Sequence, residues 1–70
     1  MTSKQIQALL EDAYQNGDLA TIMTEWSVYD NCDIMSVGDT EVEFIAVHPV
    51  KDCEYEFRLL LAEIRSVEIG

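Results

Sequence analysis

The first stretch of the chain repeats its apolar positions at helical spacing. Ile6, Leu9, Leu10, Ala13 and Tyr14 fall at i, i+3, i+4, i+7 and i+8, one stripe down a helix. Gln5, Gln7, Glu11, Asp12 and Gln15 take the wet side. Thr2 and Ser3 are N-cap candidates, and Thr2 with Gln5 has the spacing of a capping box. Asn16-Gly17 supplies a left-handed stop. The pattern predicts a helix over residues 3–16. So short a helix is marginal alone in water, so its stripe must lie on the rest of the protein as a lid.

After Gly17 the period changes to two. Ala20, Ile22, Thr24, Trp26 and Val28 share one face of a strand over Leu19–Tyr29, and Thr21, Met23, Glu25, Ser27 and Tyr29 share the other. Asp30-Asn31-Cys32-Asp33 is turn chemistry, because Asp and Asn bond to nearby backbone and tolerate positive φ. A short strand, Ile34–Val37, then runs to the turn dipeptide Gly38-Asp39.

A hairpin follows. Over Thr40–Val47, Val42, Phe44 and Ala46 alternate with Glu41, Glu43 and Ile45. His48-Pro49-Val50-Lys51-Asp52 leads to Cys53–Leu60, where Tyr55, Phe57 and Leu59 alternate with Glu54, Glu56 and Arg58. A turn centred on Val50-Lys51 sets Phe44 opposite Phe57 inside and Glu43 opposite Arg58 outside, both favourable cross-strand pairs. A one-residue slip loses both. A helical turn around Ala62-Glu63 and a last strand, Ile64–Ile69, complete the chain. The expected fold is mostly β with an N-terminal α-helix, five short antiparallel strands forming a small barrel that closes off exposed edges. One domain over 1–70 is expected, helix 3–16 and barrel 19–69, near the lower size limit for a single core.

Charge narrows the function. Fourteen Asp and Glu stand against four Lys and Arg, a net charge of −10. Such a domain repels phosphate backbones and anionic lipid and attracts basic surfaces. Hydrophobic residues make up 49% of the chain, too many for a disordered acidic tail. No apolar run approaches the roughly 20 residues that cross a bilayer, and Met1-Thr2-Ser3-Lys4-Gln5 lacks a signal peptide's apolar stretch, so a cytoplasmic location is expected. Cys32 and Cys53 are too few for a disulfide scaffold and read as reduced, partly buried small hydrophobes, the alternative being one disulfide.

The order of elements resembles the Sm-like or SH3-like small barrel, in which an N-terminal helix caps the barrel and one helical turn separates the last two strands. Tyr55-Glu56-Phe57-Arg58-Leu59 followed by Ile64-Arg65-Ser66-Val67 resembles the ending of WYL-type domains. Ile6-Gln7-Ala8-Leu9-Leu10-Glu11-Asp12-Ala13, then Ala20-Thr21-Ile22, is similar to their start. The helix-plus-barrel plan also resembles the Rof-like inhibitors of the Rho termination factor, which are small and acidic. The WYL resemblance implies a ligand-sensing barrel and the Rof resemblance a protein inhibitor. The Trp-Tyr-Leu triplet that names the WYL family is absent from the chain.

Nucleic-acid binding needs clustered Lys and Arg with stacking aromatics, and Lys4, Lys51, Arg58 and Arg65 are scattered, so no direct binding is expected. His48, Asp52, Cys53 and Cys32 are the conceivable metal ligands, but one His and one Cys five positions apart read as a loop histidine and a structural cysteine. Asp30–Asp33 lacks the glycine and closing glutamate of an EF-hand loop. The single histidine has no marked nucleophile beside it, and no glycine loop cradles phosphate. Neither an enzyme nor a cofactor is expected.

The acidic surface remains. Glu41, Glu43, Glu54 and Glu56 should project from one hairpin face, with Asp52 at its tip, and Ile45 and Val47 share that face. Read plainly, this is a solubilising coat; read sharply, it is a docking patch for a basic protein partner, with Ile45, Val47 or Tyr29 as apolar anchors. Outward aliphatics suggest a covered surface, so a homodimer is a further expectation. The ligand-sensing alternative calls for a pocket with convergent polar groups near Trp26, Tyr29 and Arg65.

Overall fold

Thr2 starts the helix as the sequence predicts. In a computed structural model describing residues 1–48 and 50–70, Gln5 N–H donates to Thr2 Oγ1 at 3.2 Å and Thr2 N–H donates to Gln5 Oε1 at 2.9 Å, a complete capping box. The helix α1 runs Ser3–Asn16 and stops at Gly17, whose φ of 71° is cheap only without a Cβ. Ile6, Leu10 and Ala13 are buried and Leu9 packs on the core edge. Tyr14, placed in the same stripe by the sequence, is exposed at the edge of that stripe, although its neighbour Ala13 is buried.

Among the described residues five strands follow: β1 (Leu19–Thr24), β2 (Val28–Val37), β3 (Glu41–Val47), β4 (Glu54–Leu60) and β5 (Ile64–Ile69). A 3₁₀ turn, Leu61–Glu63, joins β4 to β5, and Glu63 Oε1 accepts the Leu60 N–H across it at 3.1 Å. All the strand pairings are antiparallel, in one sheet of order β4-β3-β2-β1-β5. Mostly β with one N-terminal helix is therefore correct, but the expected barrel is not closed. β4 and β5 are the two edges of an open sheet. The apolar inner face is roofed instead by α1, whose Ile6, Leu10 and Ala13 join Ile22, Cys32, Val42, Phe44 and Val67 in a single core cluster. Burying that face under a helix removes the need for strand to meet strand.

The β3–β4 pairing follows the predicted register: Phe44 opposes Phe57 and Glu43 opposes Arg58. Val42, Phe44 and Ala46 are buried while Glu41, Glu43 and Ile45 are half-buried outside. Tyr29, Phe44 and Phe57 form an aromatic cluster with ring centroids 4.8 to 5.5 Å apart, a geometry that adds to area burial. In the β3–β4 connection, His48 N–H donates to Cys53 O and Asp52 N–H to His48 O; Pro49, part of the predicted connection, lies outside the described residues. His48 Nδ1 accepts from the backbone N–H of both Val50 and Lys51 at 3.1 Å.

The predicted strand Leu19–Tyr29 is really the two arms of a hairpin. The chain reverses at Glu25-Trp26-Ser27, where Thr24 Oγ1 accepts from Trp26 N–H at 3.2 Å and Ser27 N–H at 3.0 Å. Threonine turns of this kind lack glycine or proline, so strict alternation ran straight through. Trp26 and Val28 accordingly do not share the buried face of Ala20 and Ile22; they are exposed, and Tyr29 points inward.

Asp30-Asn31-Cys32-Asp33, predicted as a turn, lies inside β2. Ile22 pairs with Tyr29 and Ala20 with Cys32, so Asp30 and Asn31 together oppose Thr21 in a β-bulge. Asn31 has a φ of 52°. The positive φ that Asn tolerates is present, but it bends a strand rather than reversing the chain. Further register shifts leave Met35 as an extra residue of β2 against β3 and Arg65 as an extra residue of β5 against β1.

Candidate interaction surface

The outer face of β3 and β4 carries the residues that the sequence singles out. On β3 these are Glu41, Glu43, Ile45 and Val47; opposite them on β4 stand Leu60, Arg58, Glu56 and Glu54. Asp33 of β2 pairs with Ile45 from the other side, so Ile45 sits between the carboxylate-bearing positions Asp33 and Glu56. Val47 is exposed beside Glu54. The helix lies across the opposite face and leaves this one open. Tyr29, offered as a third anchor, belongs to the inner aromatic cluster and is unavailable to the outer face.

Few positive charges offset these glutamates. Arg58 Nη2 donates to Glu43 Oε1 at 3.1 Å, and Lys51 Nζ lies 5.2 Å from the centre of the Tyr55 ring at the hairpin tip. Both members of the Arg58–Glu43 pair reach solvent, so the pair is worth about 0–1 kcal/mol. Tyr55, read as inward from its phase, is partly exposed and packs edge-on against His48 instead.

A second feature is a hollow of about 400 Å³ lined by Thr24, Glu25, Trp26, Ser27, Tyr29, Leu59, Ala62, Glu63 and Arg65. The β1–β2 turn forms one wall, and the 3₁₀ turn with the start of β5 forms the other. Trp26, Tyr29 and Arg65, grouped by sequence reasoning, do line one concavity. Arg65 Nη2 bridges to Glu25 Oε2 across it at 3.2 Å. Spacing does not mark Glu25 and Ser27, whose placement depends on the turn at Thr24, or Glu63, which meets that turn only because β5 pairs with β1. The available signal was the Thr24-Glu25-Trp26-Ser27 tetrad itself, with hydroxyls at both ends.

The cysteines and the histidine go to separate uses. Cys32 is wholly buried and its Sγ–H donates to Tyr29 O at 3.2 Å. Burial pushes its thiol pKa up to about 11; the Ile22 backbone hydrogen bond opposes this and the Asp30 carboxylate adds to it. Cys53 is also a free thiol but is exposed, not partly buried, because it sits at the end of the hairpin loop. Among the described residues no group of three or more His, Cys, Asp or Glu is placed to hold a metal ion. Also among them, no helix is long and apolar enough to cross a membrane.

Fold and surface together define a small all-antiparallel five-stranded domain roofed by an N-terminal helix, with an acidic outer face. Comparison with protein-family models, curated proteins and solved structures returns no match.

Proposed function

We propose that this protein is a non-enzymatic acidic interaction module that docks on the basic surface of a partner protein and modulates it. The observation carrying this reading is the outward array of Glu41, Glu43, Glu54 and Glu56 around the solvent-reaching Ile45 and Val47. Carboxylates of one sign steer encounter, and aliphatics among them provide the area that desolvates on contact. A partner whose own task is to grip nucleic acid has the complementary charge, and this chain would occupy the groove that phosphates otherwise fill. That is the Rof-like version of an Sm- or SH3-like domain, acting in the cytoplasm and not itself contacting nucleic acid. The test is an affinity pull-down from the native host at low salt, repeated at high salt and with Glu54→Lys/Glu56→Lys. The expected result is capture that falls with salt and is lost in the charge-reversed variant. Capture indifferent to both changes overturns the reading.

Two other readings each have an observation behind them. The hollow around Trp26, Tyr29 and Arg65 favours a WYL-like, ligand-sensing domain; a metabolite panel that gives no thermal shift at millimolar concentration removes it. The half-buried Ile45 and exposed Val47 on the outer face favour a homodimer; sedimentation as a monomer at high concentration removes that.

A further inference from the structure

Trp26 is the only tryptophan of the chain and its largest side chain, yet it is 87% exposed. Its backbone is not loose. Thr24 N–H donates to Ser27 O at 2.9 Å, and Thr24 Oγ1 holds the N–H groups of Trp26 and Ser27. A pinned turn thus presents an unburied indole at the rim of the hollow it shares with Glu25, Glu63, Tyr29 and Arg65. Large aromatic area held in water on a fixed turn is what an interface anchor requires.

The charges of the lining select the occupant. Glu25 and Glu63 outnumber Arg65, and Arg65 is already bridged to Glu25. An anionic ligand would find one cation, neutralised in advance, on a chain of net charge −10. A cation finds Glu63, of which only Oε1 is engaged by the Leu60 N–H, and the faces of aromatic rings. Between the two basic side chains, a guanidinium suits the hollow better. It is flat, weakly hydrated, stacks on indole and forks its donors to carboxylate, whereas an ammonium is a strongly hydrated point charge.

We propose that the hollow receives an arginine side chain of the basic partner, stacked on Trp26 and hydrogen-bonded to Glu63. The proposal rests on the reading of the protein as an acidic docking module and adds to it a specific anchor away from the β3–β4 glutamates.

Trp26 reports on its own site by fluorescence. The probes are an eight-residue peptide of alternating glycine and arginine, the matching glycine–lysine peptide, and AMP as the anionic control. At low salt the arginine peptide should change Trp26 emission saturably and bind about two- to fivefold tighter than the lysine peptide, the size of an exposed cation–π preference. In calorimetry, Trp26→Ala should abolish that preference, and Glu63→Gln, which keeps an acceptor for the Leu60 N–H, should weaken the arginine peptide more than the lysine one. Thermal melts of both variants should match the parent, since Trp26 is exposed and the Glu63 backbone contact is retained. Equal affinity for the two peptides, insensitivity to Trp26→Ala, or a saturable response to AMP overturns the proposal. The Glu54→Lys/Glu56→Lys variant separates the two ideas. Peptide binding lost in that variant but indifferent to Trp26→Ala overturns the anchor and leaves the acidic module standing; no binding of either basic peptide overturns both.

Discussion

Cys32 shows how burial alone sets the chemistry of a residue. Its thiol is shielded on every side and held neutral, with a pKa pushed up to about 11 from 9.0. Thiolate is the reactive form. A thiol reagent at pH 8 should therefore modify only Cys53 in the folded protein and both cysteines in denaturant, as counted by intact mass. The same shift has a sign in stability. Below pH 9 both folded and unfolded chains keep the proton, and Cys32 adds no pH dependence. Between about pH 9 and 11 the unfolded thiol ionises while the folded one largely keeps its proton, so stability falls as pH rises through that window. Above that window the loss levels off. Other groups titrate there too, so the check is the difference in slope between the parent and Cys32→Ala in denaturant titrations. The aromatic cluster is less forgiving. Phe44→Ala should cost about 3–5 kcal/mol, enough to unfold most of a domain this small at room temperature.

At the level of elements, the bulges decide the shape. Asn31 opposes Thr21 jointly with Asp30 and sits at a φ of 52°. Asn31→Gly should be tolerated, whereas Asn31→Val should destabilise by about 1–2 kcal/mol, since a β-branched residue resists the left-handed region. Comparing the two variants by denaturant unfolding isolates backbone conformation from the loss of the amide. The extra Arg65 of β5 does a different job: a bulge re-aims its side chain, and Arg65 lines the hollow. Helix α1 and the β3–β4 hairpin were legible in the chain because their signals are local: the Thr2–Gln5 box, the Gly17 stop, and an alternation whose register is pinned by Phe44 and Phe57. The β1–β2 hairpin was not, because its turn is made by a threonine hydroxyl and its bulge by residues that equally suit a turn.

For the whole molecule, charge is the dominant collective term. A net charge of −10 on a chain of 70 residues repels itself in the compact state. Raising salt from low to about 0.15 M shortens the screening length to about 8 Å. The melting temperature should therefore rise with added sodium chloride, and more than in a Glu54→Gln/Glu56→Gln variant that carries less of the load. A parallel rise in parent and variant would show that the β3–β4 carboxylates do not contribute to the repulsion.

By itself the sequence determined the periodicities and the charge: a capped helix, inward apolar and outward acidic phases on β3 and β4, and a net charge of −10. These rest on neighbours within a few residues, where spacing fixes which face a side chain takes. Only the tertiary structure decided that the sheet stays open under α1, that Asp30–Asp33 bend a strand, and that Glu25 and Glu63 join Trp26 and Arg65 around one hollow. Those features depend on strands distant in the chain meeting in a particular register, and no local spacing records that meeting.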